Sequence, residues 1–246
     1  MSKTTVLTAG TSGIGKSIAQ TILANSTDDN DLLIVNYGHN DEAAKKMSEE
    51  LDETSRKKIR FIKADMSSYD GMLGFVAEVL KLTDKIDWLI LNTGIGTYAP
   101  FDEYTFELWT KVMDTNVNIP AFLVKELKSH FNKGGKIVFM GSHSGNVSYS
   151  SSIVYGVSKA AVHFMAKSLQ KVFDGQDVSI NAIAPGFIET PWQKDRTQES
   201  YDRINKKIAL HRFDESAEVE KLCYDVLTND FINGAVIDIH GGYNYF

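Results

Sequence analysis

The sequence predicts an α/β protein in which one domain is built on a doubly wound parallel sheet of about seven strands, with helices on both faces. Three observations support this prediction. Short β-rich runs recur along the 246 residues, amphipathic stretches of helical length lie between most of them, and no proline-, serine- or glycine-rich linker divides the chain. Strands that alternate with helices form βαβ units, and right-handed crossovers wind such units into a sheet covered on both faces. We therefore expect residues 1–246 to form a single domain.

The residue patterns place each predicted element along the chain. Runs rich in β-branched and apolar residues predict strands at Thr4–Thr8, Leu32–Asn36, Ile59–Lys63, Trp88–Leu91, Lys136–Met140, Ser179–Ile183 and Val236–Ile239. Apolar residues at helical spacing predict helices at Gly15–Leu23, Glu42–Leu51, Met72–Leu80, Phe106–Leu127, Tyr155–Phe173 and Ala217–Leu227.

Composition and charge argue against several classes of protein. The net charge is -6 and the pI is near 5.5, which does not suggest a nucleic-acid or anionic-membrane surface. No apolar run approaches the roughly 18 residues of a membrane span, and the N-terminal residues lack the cleavage region of a signal peptide. Cys223 is the only cysteine, so we expect a cytoplasmic protein without an intrachain disulfide and with Cys223 as a buried structural thiol. The six histidines are scattered without metal-ligand spacing, and no metal site is predicted.

A glycine-rich turn separates the first predicted strand from the first predicted helix. It reads Thr8-Ala9-Gly10-Thr11-Ser12-Gly13-Ile14-Gly15, and its spacing is GxxGxG rather than the commoner GxGxxG. At this place in an open α/β sheet, free N–H groups and a helix N-terminus can bind a pyrophosphate, and glycines let the backbone approach it. The alternative is a plain tight turn. The candidate cofactor-binding residues of this turn are Gly10, Ser12, Gly13, Ile14 and Gly15.

Tyr155 and Lys159 stand four residues apart in a predicted helix. A four-residue step places both side chains on one face, one above the other. An ammonium beside a phenol favours the phenolate, so we expect Lys159 to lower the pKa of Tyr155 below its usual value of about 10. Such a tyrosine can donate a proton to a carbonyl near neutral pH. The alternative is an ordinary surface or packing pair.

Six motifs occur in an order that closely resembles the short-chain dehydrogenase/reductase family in its compact single-domain form, on a Rossmann-type sheet. They are the glycine turn, Asn92-Thr93-Gly94, Asn116, Ser142, the Tyr155/Lys159 pair, and Asn181 with Pro185-Gly186. The resemblance covers essentially the whole chain, as far as Gly241-Gly242. The chain departs from the usual family residues at Ala9, Leu91, Thr93 and His240. These departures leave the proton-transfer residues untouched, and Ala9 is small enough to preserve the turn.

The resemblance implies a catalytic tetrad of Asn116, Ser142, Tyr155 and Lys159, and hydride transfer between a nicotinamide and a carbonyl carbon. Tyr155 would protonate the carbonyl oxygen, and Ser142 would polarise it. Lys159 would hold the ribose, and Asn116 would orient a water that links Lys159 to solvent. For Asn116, a side chain that only braces a helix is the alternative. Ser142 is preferred because it follows a strand and precedes Tyr155 by thirteen residues, which is the usual spacing in the family that the chain resembles, although other serines lie nearby, at Ser144, Ser148, Ser150, Ser151 and Ser152.

The end of the second predicted strand bears on the choice of nicotinamide. An acidic residue there would bond the ribose 2′-hydroxyl and select NAD, but the run Asn36-Tyr37-Gly38-His39-Asn40 reaches a carboxylate only at Asp41. We therefore favour NADP(H) over NAD(H), although no lysine or arginine stands nearby in the sequence. The resemblance implies further cofactor contacts at Asn36, Tyr37, His39, Asp65, Met66, Asn92, Gly94, Tyr155, Lys159, Pro185, Gly186, Ile188 and Thr190. A helix N-cap is the alternative for Asp65.

The segment at about 191–212 is where the family carries its substrate lid. Here it is short and slightly basic, which suits an anionic acyl thioester, although a solvated helix face explains the same charges. The resemblance implies a ketone reductase most like 3-oxoacyl-[acyl-carrier-protein] reductases. The alternatives are an NAD-dependent dehydrogenase of a small alcohol, sugar or polyol, and a non-catalytic cofactor-binding sensor. The helices Phe106–Leu127 and Tyr155–Phe173 and the tail Phe231–Phe246 resemble family interfaces and predict a homotetramer or homodimer.

Overall fold

A parallel sheet of seven strands forms the centre of the computed structural model, which describes residues 2–149 and 152–243. The strands are β1 (Thr4–Leu7), β2 (Leu32–Tyr37), β3 (Ile59–Lys63), β4 (Ile86–Leu91), β5 (Phe131–Met140), β6 (Ser179–Pro185), a short separate pair β7 (Ile188–Glu189) and β8 (Asp214–Glu215), and β9 (Val236–Ile239). The order across the sheet is β3-β2-β1-β4-β5-β6-β9, and each neighbouring pair is parallel. The predicted doubly wound sheet is confirmed.

Helices cover both faces of this sheet. They are α1 (Gly13–Ala24), α2 (Asp41–Glu50), α3 (Glu53–Lys58), α4 (Tyr69–Leu82), α5 (Phe106–Met113), α6 (Ile119–Leu127), α7 (Ile153–Leu169), α8 (Gln198–Asn205) and α9 (Ser216–Thr228). Side chains of α4, α6 and α7 pack on one face of the sheet, and those of α1, α2 and α9 pack on the other. Among the described residues, no helix combines the length and the apolarity needed to cross a membrane.

The alternation of side chains along each strand supplies both hydrophobic cores. In β4, Leu89 and Leu91 face the core formed with α4, α6 and α7, whereas Ile90 faces the core formed with α1 and α9. This explains why the strands are almost continuously apolar. Cys223 of α9 is fully buried in the second core, and burial raises the pKa of its thiol to about 12. The interpretation of Cys223 as a structural thiol is confirmed.

Several element boundaries differ from the prediction. The predicted helix Phe106–Leu127 contains a π-helical turn at Asp114–Asn118, followed by Pro120, which lacks the N–H that a continuous α-helix would use. The helix that carries Tyr155 begins at Ile153 and tightens into a 3₁₀ turn after Leu169. The helices α3 and α8 and the strands β7 and β8 were not predicted. Both helices are short and polar and are capped by side chains rather than marked by an apolar stripe.

The chain order places an open crevice at one edge of the sheet. The chain runs from β1 outwards to β2 and β3 and then returns to β4 on the other side of β1. The connections that leave the carboxyl ends of β1 and β4 therefore diverge, and ligands of open α/β sheets bind at such a switch point.

Candidate active site

A cleft of about 590 Å³ opens at the carboxyl ends of β1, β4, β5 and β6, and we refer to it as the cleft. The predicted site residues that line it are Ser12, Gly13, Ile14, Asn92, Gly94, Ser142, Tyr155, Lys159, Pro185, Gly186, Ile188 and Thr190. The predicted residues outside this lining are Gly10, Gly15, Asn36, Tyr37, His39, Asp65, Met66 and Asn116. The structure thus brings all the predicted catalytic side chains except Asn116 into the cleft wall.

The glycine turn has the shape of a phosphate cradle. A Cβ on Gly15 would overlap the carbonyl oxygen of Ala9 and lie 2.6 Å from Asn92 Nδ2, so the helix can begin this close to β1 only with glycine there. Ser12 precedes α1 without making a side-chain capping bond, which leaves the first N–H groups of the helix open to an anion. The residues present therefore fit the pyrophosphate of a dinucleotide.

Ala9 keeps the turn intact but occupies the left-handed region, with a φ of 50°. An L-residue in that region loses roughly 1 kcal/mol relative to glycine. The neighbouring hydrogen bonds hold it there. Its N–H donates to Asn36 Oδ1 (3.3 Å), its carbonyl accepts from Asn92 Nδ2 (3.0 Å), and Thr8 Oγ1 accepts from the backbone N–H of Asn92 (2.9 Å). Asn92 therefore ties the end of β4 to the glycine turn.

Three residues predicted to contact the cofactor make contacts within the protein. The Asn36 side chain is buried, and besides holding Ala9 it donates to Ala64 O (3.0 Å), so its amide is already hydrogen-bonded within the protein, and its contact with the cofactor stays a prediction. The Met66 side chain packs in the core against α4. Asp65 accepts from the N–H of Ser67 (2.9 Å), whereas Ser68 caps α4, so the N-cap alternative for Asp65 is wrong.

The end of β2 carries charges that the sequence did not reveal. Tyr37 is paired in register with Lys63 of β3, and Lys63 Nζ lies 2.6 Å from the carboxylate of Asp41. Burial and a hydrogen bond to Asp41 raise the pKa of the Tyr37 hydroxyl. His39 is exposed close to these groups. No lysine is near Tyr37 in the sequence, but strand pairing brings Lys63 there from 26 residues further along the chain.

Ser142 caps the 3₁₀ turn that follows β5. Its Oγ accepts from the N–H of Ser144 (3.2 Å) and lies 2.9 Å from Ser144 Oγ. Of the rival serines, Ser144 and Ser152 also line the cleft, although both side chains are largely buried, and Ser148 is exposed outside the lining. Ser150 and Ser151 lie outside the described residues.

Tyr155 and Lys159 lie one helical turn apart on α7, as predicted, but the expected effect on the tyrosine is wrong in direction. Burial raises the pKa of Tyr155 to about 12, although a hydrogen bond with Ser142 opposes the rise. Lys159 Nζ donates to Met140 O (2.7 Å) and lies 5.6 Å from the centre of the Tyr155 ring. Burial lowers the pKa of Lys159 to about 8. Desolvation therefore dominates at both groups and shifts each pKa toward the neutral form, but a pKa of about 8 still leaves Lys159 mostly protonated at pH 7.

Asn116 lies in the π turn between α5 and α6 and braces the wall of the cleft. Its Nδ2 donates to Ile95 O (2.8 Å) and to Ser158 Oγ (2.9 Å), and its Oδ1 accepts from the N–H of Ile95 (2.8 Å). These bonds favour the bracing alternative over the water relay. Glycine at position 94 leaves space for the Lys159 side chain, since a Cβ on Gly94 would lie only 3.3 Å from Lys159 Nζ.

The far wall of the cleft follows β6. A Cβ on Gly186 would lie 2.8 Å from the Cβ of His240, so glycine allows the two chain segments to meet. Thr190 Oγ1 accepts from the N–H of Trp192 (3.3 Å), and the Trp192 ring lies 5.9 Å from that of Tyr155. Other lining residues were not predicted, among them Tyr98, Tyr149 and Phe187, whereas Arg196 lies in the predicted lid segment 191–212. Only their positions near the motifs hinted at this role.

The histidines are scattered in the sequence, but two of them meet in three dimensions. Ligand-type atoms of His143, Asp238 and His240 lie within 4.8 Å of one another. However, Nδ1 of His240 accepts from the N–H groups of Gly242 and Tyr243 (3.1 Å each), which places the proton of a neutral ring on Nε2. That ring then offers no free lone pair, so the donor set fits hydrogen bonding rather than metal binding.

Comparisons with known proteins agree with the fold and identify relatives of the chain. Residues 3–200 match the family model described as short chain dehydrogenase. The chain is 29% identical to the 3-oxoacyl-[acyl-carrier-protein] reductase FabG of Aquifex aeolicus over 98% of this chain and 96% of that protein. It is 26% identical to the uncharacterized oxidoreductase YmfI of Bacillus subtilis over 99% of this chain and all of that one. A crystal structure of a short chain dehydrogenase from Burkholderia cenocepacia in complex with NADP superimposes with a TM-score of 0.90 at 23% identity, covering 98% of each chain.

Proposed function

Because the chain belongs to the short-chain dehydrogenase family of oxidoreductases, we propose that it is an NADP(H)-preferring enzyme that transfers a hydride between nicotinamide and a ketone or secondary alcohol. The observation that carries the proposal is the convergence of Ser142, Tyr155 and Lys159 on the cleft that begins at the glycine turn. A non-catalytic sensor would have no need to keep all three.

Tyr155 is the proton donor or acceptor of the proposed reaction. The nicotinamide supplies the hydride when it is bound. With its pKa raised to about 12, Tyr155 carries its proton at neutral pH, which suits the direction of carbonyl reduction. The Ser142 hydroxyl, hydrogen-bonded with that phenol, polarises the same oxygen. Lys159 places an ammonium beside the phenol and stabilises the tyrosinate that forms when the proton leaves.

The charges at the end of β2 support a preference for NADP(H). Lys63 supplies a cation beside Tyr37, at the place where the ribose 2′-substituent of a dinucleotide binds in this fold. Its ion pair partly neutralises Asp41. Asp41 also favours the rival proposal, an NAD-dependent dehydrogenase of a small alcohol, sugar or polyol, because a carboxylate can bond a 2′-hydroxyl and repel a 2′-phosphate.

We propose an anionic acyl thioester as the substrate, as the likeness to the Aquifex reductase suggests. Arg196 in the cleft wall supports this proposal. Its Nε donates to Gln193 Oε1 (2.7 Å), its Nη1 donates to Ser200 Oγ (2.9 Å), and its guanidinium lies 5.3 Å from the centre of the Phe187 ring. These partners are neutral, so the guanidinium is fixed in place with its charge available to an anion.

The enzyme is proposed to act as a homotetramer or homodimer. Phe106 of α5 and Phe164 of α7, on the two predicted interface helices, are 79% and 72% exposed, which leaves two large apolar rings for a second copy to cover. Of the predicted tail Phe231–Phe246, the last three residues lie outside the described residues. Light scattering coupled to size exclusion measures the assembly directly, and a monomeric mass would contradict this part of the proposal.

The test compares cofactors and substrates in one set of assays. We expect NADPH to bind more tightly than NADH, and an oxoacyl thioester to be reduced faster than a small diketone or sugar. Arg196→Met should raise KM for the thioester but not for a neutral diketone, whereas Arg203→Met, on the exposed lid helix α8, should change neither. NADH that binds tenfold more tightly than NADPH, a difference of about 1.4 kcal/mol, or faster oxidation of a polyol with NAD, would favour the rival dehydrogenase.

A further inference from the structure

A histidine ring lies directly behind Ser142, in a space that two glycines leave open. His163 of α7 is buried, with 4% of its surface exposed. A Cβ on Gly141 would overlap His163 Nε2 and lie 2.7 Å from its Cδ2, and a Cβ on Gly145 would lie 2.9 Å from its Cε1. The two glycines that flank the Ser142 turn are therefore what lets the imidazole reach the turn's backbone.

The imidazole of His163 accepts a hydrogen bond from the backbone amide of Ser142, which is the first amide beyond the last hydrogen bond between β5 and β6. Gly141 N–H donates the last bond of β5 to β6, to Ile183 O (2.7 Å). The next amide, that of Ser142, donates to His163 Nε2 (3.3 Å). At Ser142, the acceptor of the backbone N–H is therefore a side chain, that of His163, rather than a carbonyl of the neighbouring strand.

A chain of hydrogen bonds sets the tautomer of this histidine. Asn146 Nδ2 donates to Asp238 Oδ1 (2.7 Å), so the Oδ1 of Asn146 faces His163 Nδ1 (2.9 Å). An amide oxygen requires a donor, which places the ring proton on Nδ1 and leaves the lone pair on Nε2 for the Ser142 N–H. His143 Nδ1 anchors the same Asp238 oxygen at 2.9 Å. Burial, with the nearby Lys159, lowers the pKa of His163 to about 4 and keeps the ring neutral.

We propose that His163 is a positioning residue for the proposed carbonyl reduction, and that it acts by holding the Ser142 backbone so that the Ser142 hydroxyl stays aimed at the substrate oxygen. Asn146 and Asp238 hold His163 in the tautomer that can do this. The inference rests on the proposed function, since it concerns how one of the three groups of that site is aimed. A hydroxyl misplaced by a fraction of an ångström loses much of its effect on a transition state.

The variants His163→Leu and His163→Gln test this role. Leucine fills similar space without an acceptor, whereas a glutamine can present its amide oxygen to Ser142 and its NH₂ to Asn146. We expect His163→Leu to lower kcat by about 10- to 100-fold with a smaller change in KM and with the Kd of NADPH within about twofold. His163→Gln should recover most of the loss. In a Ser142→Ala background His163→Leu should cost little more, because the hydroxyl to be aimed is gone.

Val162→Ala provides the stability control, since Val162 is buried in the core one residue away and faces away from the cleft. An equal loss of kcat in Val162→Ala and His163→Leu, or an unchanged kcat in His163→Leu, would overturn the proposal. Amide hydrogen exchange at Ser142 separates this inference from the proposed function, because it needs no turnover. If the parent protein reduces no substrate but His163→Leu still speeds exchange at Ser142, the proposed reaction fails while the contact stands. Unchanged exchange would overturn the contact itself.

Discussion

Two regions at the carboxyl edge of the sheet hold their charged groups in different surroundings. In the buried region, formed by Ser142, Lys159 and His163, the lysine is 4% exposed and its hydrogen-bond acceptor is a backbone carbonyl. In the exposed region, formed by Tyr37, Asp41 and Lys63, the ion-paired side chains of Lys63 and Asp41 are 50% and 61% exposed. In the buried region, desolvation shifts pKa values and raises the free-energy cost of losing a hydrogen bond. In the exposed region, solvent screens the interactions between charges. Substitutions in the buried region should therefore have large effects on turnover, whereas substitutions in the exposed region should have small effects on the preference for one cofactor.

Lys159→Met should have the largest effect, with opposite signs for activity and stability. We expect turnover to fall by about 10²- to 10⁴-fold, while the free energy of unfolding at pH 7 rises by up to roughly 3 kcal/mol. Burial lowers the pKa of Lys159 from 10.5 to about 8. Between these pH values the unfolded chain binds the proton more tightly than the folded protein does, so this group's destabilisation grows as pH falls and is complete below about 8.

Urea unfolding of parent and variant at pH 7 and at pH 10.5 measures this difference. The gain in stability should shrink at the higher pH, where the parent's Lys159 is neutral in the folded state. Lys45→Met is the matched control, because Lys45 of α2 is exposed in an i,i+4 pair with Glu49. A Lys159→Met protein that is less stable than its parent at pH 7 would show that the bond to Met140 O outweighs the desolvation of the ammonium.

Features of the buried region could be predicted from the sequence when the interacting residues are close along the chain, and not when they are far apart along it. The one-turn spacing of Tyr155 and Lys159 is local, so it was visible in the sequence and the structure preserves it. The direction of the Tyr155 pKa shift was not visible, because spacing says nothing about the loss of solvent around both groups. The network behind Ser142 joins Asn146 and Asp238 across 92 residues, and no local pattern marks it.

Substitutions in the glycine turn, which adjoins the buried region, should have the next largest effect. Gly15→Ala places a Cβ against Ala9 O and Asn92 Nδ2, and overpacking of this kind destabilises by about 1–3 kcal/mol. We expect weaker NADPH binding as well, since the turn must shift to accommodate the methyl group. Gly74→Ala in α4 meets no atom within 4 Å and should stabilise slightly, by up to about 1 kcal/mol. Fluorescence titration with NADPH and thermal unfolding would check both, and equal behaviour of the two variants would contradict the close-approach argument.

The exposed region should give the smallest effect. We expect Lys63→Gln to weaken NADPH binding by about two- to fivefold at low salt, with little change for NADH and little effect at 1 M salt, because a solvated cation is readily screened. Lys81→Gln, which breaks a similar exposed pair with Glu78 on α4, should change neither affinity. Equal weakening for both cofactors in Lys63→Gln would show that the lysine does not sense the 2′-phosphate.

The exposed region also shows why sheet register matters for prediction. The seven strands were recognisable from their composition, but the pairing of Tyr37 with Lys63 follows from the alignment of β2 with β3. Composition alone does not set that alignment. The short elements α8, β7 and β8 were missed for a related reason, since they are held by tertiary contacts such as the packing of Phe213 with Phe187 rather than by a local apolar pattern.

The central claim is that Tyr155, and no other phenol of the cleft, exchanges the proton with the substrate oxygen. Tyr149 is the matched comparison, because its ring also lines the cleft but is not placed one helical turn from Lys159. The decisive measurement is the turnover of an oxoacyl thioester with NADPH by Tyr155→Phe and Tyr149→Phe, with NADPH binding measured in parallel. The account predicts a loss of about 10²- to 10⁴-fold for Tyr155→Phe with binding retained, and less than about tenfold for Tyr149→Phe. Equal rates in Tyr155→Phe and the parent would contradict it.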